Sequence, residues 1–111
     1  AQGIGTALYE ETPYDRNGQP LASTLADYML PGATEVPHMR IHHFETPPSH
    51  TQWGAKAMGE GGATAPPAAI SNAVNDALRP LGAEVSQTPL SPRRLLQAIA
   101  DAQVIGSRKA A

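Results

Sequence analysis

Apolar side chains recur at a helical interval in the first eleven residues. Ile4, Ala7 and Leu8 stand at i, i+3 and i+4 and share one face, which predicts a helix over residues 1–11. No capping residue precedes Ile4, so the helix is expected to begin upstream. Glu10 and Glu11 at its far end oppose the helix dipole. The clearest repeat comes later. Ile70, Ala73, Val74, Ala77, Leu78 and Leu81 form an apolar stripe, with Asn72, Asn75, Asp76 and Arg79 mostly opposite, so a helix is expected from Pro66 to Leu78. Pro66 and Pro67 suit its first turn, where N–H groups lack partners. Arg79-Pro80 and Gly82 close it. Ser91-Pro92 provides an N-cap and an N1 proline for a last helix to about Gln103, with Leu95, Leu96 and Ile99 as its buried side.

Other stretches alternate with a period of two. Met39 and Ile41 face one way and Arg40 and His42 the other, so residues 38–45 read as the best strand. Tyr14-Asp15-Arg16-Asn17-Gly18-Gln19 carries the Asn-Gly pair of a type I′ hairpin, with short strands expected near 11–15 and 19–23. Residues 83–87 read as a further short strand. Residues 23–28 read as a short turn or helical stretch ended by Pro31-Gly32, and Pro47, Pro48 and Ser49 mark a loop. The expected fold is α+β: a small, mostly antiparallel sheet with three helices packed on it. Residues 1–104 form the folded part and 105–111 a flexible tail.

Composition narrows this picture. Of 111 residues, 41% are hydrophobic, but nineteen of these are Ala, and aromatics are 5%. Large side chains for a core are therefore few, and a chain of this size normally buries roughly two-thirds of its unfolded surface. The margin for folding alone is thin. A net charge of −2 with no basic stripe gives nucleic acid nothing to attract it. No apolar run approaches the ~18 residues of a membrane span. The absence of cysteine excludes disulfides, Fe–S ligation and thiolate zinc sites within the chain. A cytoplasmic location is expected, with the periplasm as the alternative.

The candidate chemistry sits in Gly54-Ala55-Lys56-Ala57-Met58-Gly59-Glu60-Gly61-Gly62. Four glycines surround one carboxylate, and a lysine lies four residues before it. Glycine lets a backbone come close to a ligand, and the loop feeds a helix start. Neither common phosphate fingerprint, GxxxxGK[ST] or GxGxxG in its strand–helix setting, is present. In a water-poor pocket the Glu60 carboxyl would be held toward its protonated form, making it a better base near neutral pH; an inward Lys56 would oppose this. His38 and His42 share a strand face, but four strand residues span about 13 Å, and His43 points away, which argues against a local metal site. Trp53, the only tryptophan, reads as packing at the loop base or at a subunit contact.

The run Gly54-Ala-Lys-Ala-Met-Gly-Glu-Gly-Gly-Ala-Thr-Ala-Pro-Pro-Ala-Ala-Ile-Ser-Asn-Ala-Val-Asn-Asp-Ala-Leu78 resembles the C-terminal part of the molybdenum-binding large subunit of the xanthine dehydrogenase family. That family includes aldehyde oxidoreductases, aerobic carbon monoxide dehydrogenases and N-heterocycle hydroxylases. Ala1-Gln-Gly-Ile-Gly-Thr-Ala-Leu-Tyr-Glu-Glu11, Tyr14-Asp15, Gly18 and Asp27-Tyr28-Met29-Leu30-Pro31 match it in the same order, so the likeness covers roughly residues 1–100.

The resemblance implies that Glu60 is the active-site base beside molybdenum, taking a proton as an oxygen nucleophile forms. Gln2 then approaches the pterin, and Gly59, Gly61 and Gly62 let the backbone crowd the cofactor, a molybdenum-molybdopterin in its cytosine dinucleotide form. The implied partners are the remainder of the molybdenum-binding subunit, an Fe–S subunit, an FAD subunit and a small-molecule substrate. Lys56 supports the loop. The family's other cofactor contacts lie upstream of the matched part, so the chain alone is expected to bind no molybdenum cofactor and to show no activity. Two alternatives stand beside this: a non-catalytic binding or assembly module that keeps the fold, and a small anion-binding protein, which Pro66 and Pro67 disfavour by removing N–H donors.

Overall fold

A computed structural model describes residues 1–47 and 50–110 of the chain. Four α-helices appear: α1 (Gln2–Leu8), α2 (Gly61–Thr64), α3 (Pro66–Leu78) and α4 (Pro92–Ala110). Single 3₁₀ turns occupy Gln52–Gly54 and Arg79–Leu81. No strand forms among the described residues, so the α+β sheet expected from the pattern is absent. The architecture is helical, with long irregular connections.

Each missing strand has its own cause. The hairpin reduces to one antiparallel bridge, Tyr14 with Pro20. Its turn also differs from type I′. Only Gly18 has positive φ (81°), and the Gly18 N–H donates to the Asp15 carbonyl at 3.1 Å. This is the arrangement of a four-residue turn followed by a left-handed glycine. The Asp15 carboxylate caps it, accepting from the N–H groups of Asn17 (2.8 Å) and Gln19 (2.9 Å). Residues 38–45 keep their alternation but find no ladder; their Met39, Ile41 and Phe44 side chains are exposed. Residues 83–87 form no strand, and the partner of Val85 is a side chain. Asn75 of α3 accepts from the Val85 N–H at 2.8 Å and donates to its carbonyl at 2.9 Å, imitating a neighbouring strand.

The core is small. Leu78, Ala83, Val85 and Leu90 form its centre, with Leu8, Ile70, Val74, Leu95 and Ile99 packed around. Only the Ile70–Val74–Leu78 line of the α3 stripe is covered; Ala73, Ala77 and Leu81 stay exposed. In α4, Leu95 and Ile99 turn inward, whereas Leu96 is exposed, contrary to expectation. The Ser91 carbonyl accepts from the Leu95 N–H at 3.0 Å as that helix starts. The helix continues past Gln103 to Ala110. Pro48, Ser49 and Ala111, assigned above to a loop and to the tail, lie outside the described residues.

Helix α1 is joined to the core through the segment before α4. The Leu90 N–H donates to the Ala7 carbonyl at 2.6 Å. Arg94 donates to the Pro89 carbonyl (2.7 Å) and to Glu11 (2.5 Å). The Cα radius of gyration is 18.9 Å over extents of 65 × 38 × 28 Å. A compact chain of this length has about 13 Å, so much of the molecule projects from its core.

Candidate functional site

The glycine loop is held by α1. Gly3 is buried against Pro66 at the start of α3, so close that a Cβ there would run into the proline ring and stand 2.8 Å from the Gly62 carbonyl. This contact brings the preceding residue, Gln2, over Gly62: a Cβ added at Gly62 would fall 2.7 Å from Gln2 Oε1. Two positions sixty residues apart in sequence thus meet, because both helix and loop lack side chains at their crossing. The proximity of Gln2 to the loop has no signal in local sequence pattern; the small residues Gly3 and Gly62 are its only trace.

Glu60 stands at the N-terminus of α2. Its carbonyl accepts from the N–H groups of Ala63 (2.8 Å) and Thr64 (3.0 Å) and from the Thr64 hydroxyl (3.0 Å). Its carboxylate is exposed and receives no hydrogen bond or ion pair from any described residue. The water-poor pocket considered for it is not built by this chain. Lys56 does not face it either: its Nζ donates to the Thr46 carbonyl, which ties the two sides of the loop together. Gly59 has open space where a side chain would be, and Gly61 lies against Met58. The structure therefore gathers Gln2, Glu60, Gly61 and Gly62 at one place, with Gly59 beside them.

The best-formed groove, about 360 Å³, lies elsewhere, between residues 82–87 and α4, and Arg94, Gln97 and Asp101 line it. Arg94 is already engaged by Glu11 and Pro89. Gln97 and Asp101 are paired with each other, so the groove's charged and amide groups at α4 are engaged, whereas the Glu60 carboxylate is not. Among the described residues no cluster of three or more His, Asp or Glu could hold a metal ion. Among the described residues no helix is long and apolar enough to cross a membrane.

A carboxylate with no partner among the described residues and an amide set over a glycine backbone thus lie in one part of the chain. The chain belongs to the family of molybdenum-binding large subunits that includes xanthine dehydrogenase and carbon monoxide dehydrogenase. Residues 1–37 match the molybdopterin cofactor-binding domain. The chain is 41% identical over 97 residues to the nicotine 6-hydroxylase large subunit of Paenarthrobacter nicotinovorans, covering 87% of this chain and 12% of that protein. Its fold is similar to quinoline 2-oxidoreductase from Pseudomonas putida 86, with a TM-score of 0.85 at 42% identity over 91% of this chain and 13% of that one. It is also similar to a Cu,Mo-CO dehydrogenase, with a TM-score of 0.82 at 32% identity over 92% of this chain. The chain thus spans about an eighth of the length of the relatives it matches.

Proposed function

We propose that this chain is the C-terminal part of a molybdenum hydroxylase large subunit, and that Glu60 is the base of its active site. The reading places substrate oxidation in an assembly with Fe–S and FAD subunits and a molybdopterin cofactor in the cytosine dinucleotide form. N-heterocycles come first as substrate class, ahead of aldehydes, since the relatives near 40% identity are named for nicotine and quinoline.

The observation that carries the proposal is the meeting of Gln2 with the Glu60–Gly62 loop. The residues present fit the group: Gly59 leaves backbone open to a flat ligand, and the Gln2 amide both donates and accepts hydrogen bonds. The bound molybdenum-pterin supplies the two-electron acceptor. Glu60 supplies the proton acceptor, its carboxylate held by no other group and its backbone fixed by the first turn of α2. Walls from the rest of the subunit exclude water from the carboxyl.

The test is Glu60→Gln in the intact enzyme. Loss of a general base costs about 10²–10⁴-fold in turnover. Cofactor content and melting temperature are expected to stay unchanged, because the carboxylate makes no bond to any described residue. Normal turnover of the variant sinks the assignment.

A further inference from the structure

We infer that the arm formed by residues 38–47 and 50–58 is a docking segment, and that its occupant is the remainder of the large subunit. The inference rests on the reading of this chain as part of that subunit. It adds where the two parts meet.

Three independent observations point there. The arm carries Met39, Ile41, Phe44, Trp53 and Met58, all exposed; Phe44 is 96% and Trp53 92% accessible. Aromatic rings of this size normally bury most of their surface, and an apolar surface this large on an isolated segment marks an interaction site. Second, no backbone–backbone hydrogen bond joins residues 38–47 to any described residue. The path of this segment is therefore not set by the chain's own ladder or turns. Third, Trp53 has φ 58°, ψ 15°, a left-handed conformation that a bulky aromatic rarely adopts. Such strain persists where surroundings over-determine it. Here only two long bonds hold it, Gly54 N–H to the Thr51 carbonyl at 3.3 Å and Ala55 N–H to the Gln52 carbonyl at 3.4 Å.

The occupant follows from length and likeness. The chain overlays 13% of quinoline 2-oxidoreductase at a TM-score of 0.85 over 91% of its own residues. A fit that broad leaves out only about ten residues, so it takes in at least part of the arm. A path that the chain does not stabilise itself is thus shared with a protein about eight times longer, and the additional length is what is available to cover it.

Hydroxyl-radical footprinting tests this, read by peptide mass spectrometry on the 111-residue chain and on the intact holoenzyme. Oxidation rates at Phe44 and Trp53 are expected to fall at least tenfold in the holoenzyme. Equal rates in a holoenzyme that holds molybdenum and turns over would overturn the docking arm and leave the catalytic reading standing. If the intact protein holds no molybdenum and does not turn over, the reading fails and the inference fails with it.

Discussion

The Tyr28 hydroxyl donates to Glu10 Oε2 at 2.6 Å, pinning the residues after the first turn to the end of α1. That bond to a carboxylate holds the phenol above its ordinary value of 10.0, because the ionised tyrosine would lose the bond and face a like charge. The sign is that of a raised group: the contribution is complete below pH 10.0 and disappears as pH rises through the folded value. An alkaline titration followed by phenolate absorbance is expected to show one of the three tyrosines ionising above 10.0, and Tyr28→Phe is expected to remove that step. Glycine positions offer a second comparison. Gly3→Ala drives a methyl into the Pro66 ring and the Gly62 backbone, neither of which yields easily, so it is expected to lower the melting temperature. Gly62→Ala meets only the mobile end of Gln2 and is expected to leave the melting temperature nearly intact while weakening cofactor retention. Individual residues were legible to different degrees. Gly18 marked the place of a turn but not its type, the glycines around Glu60 singled it out only as a candidate, and the sequence could not say that Lys56 would turn to the Thr46 carbonyl.

Helices could be read because their pattern is local. Ile70, Val74 and Leu78 lie on one line of α3 whether or not anything covers them, and proline at N1 marks both long helices. Strands could not, because a strand exists only with a neighbour. Met39 and Ile41 alternate correctly and still form no ladder. At Val85 the neighbour is a single amide. Asn75→Ala leaves a half-buried N–H and carbonyl unpaired, and each such group costs about 1–3 kcal/mol. Urea unfolding of the variant is therefore expected to show a loss of about 2 kcal/mol or more. Asn75→Asp keeps the acceptor for the Val85 N–H but sets a carboxylate oxygen against the Val85 carbonyl, so it is expected to lose stability as well. Equal stability of all three proteins would show that the amide is a bystander.

At the scale of the molecule, the core has four centrally buried residues while at least fourteen large hydrophobic side chains are exposed. The limit noted from the shortage of large side chains thus has a spatial form: what is apolar is spread over an arm, the outer face of α4 and residues 21–30, where no internal partner exists. Two consequences follow for the chain by itself. Exposed Leu96, Val104 and Ile105 on α4 give copies a surface to share, so sedimentation is expected to show concentration-dependent association. The site is equally incomplete. Gln2 and Glu60 are positioned on one side, while catalytic groups must be held within about 0.5 Å by supporting shells that this chain lacks. Metal analysis of the isolated chain after anaerobic incubation with cofactor is expected to find molybdenum far below one per chain, with no turnover on an artificial electron acceptor. The intact subunit under the same conditions is expected to hold one. A monomeric 111-residue chain that retained stoichiometric molybdenum would mean that the pocket closes around Glu60 without outside walls, and both the open flank and the shared-site reading would have to be abandoned.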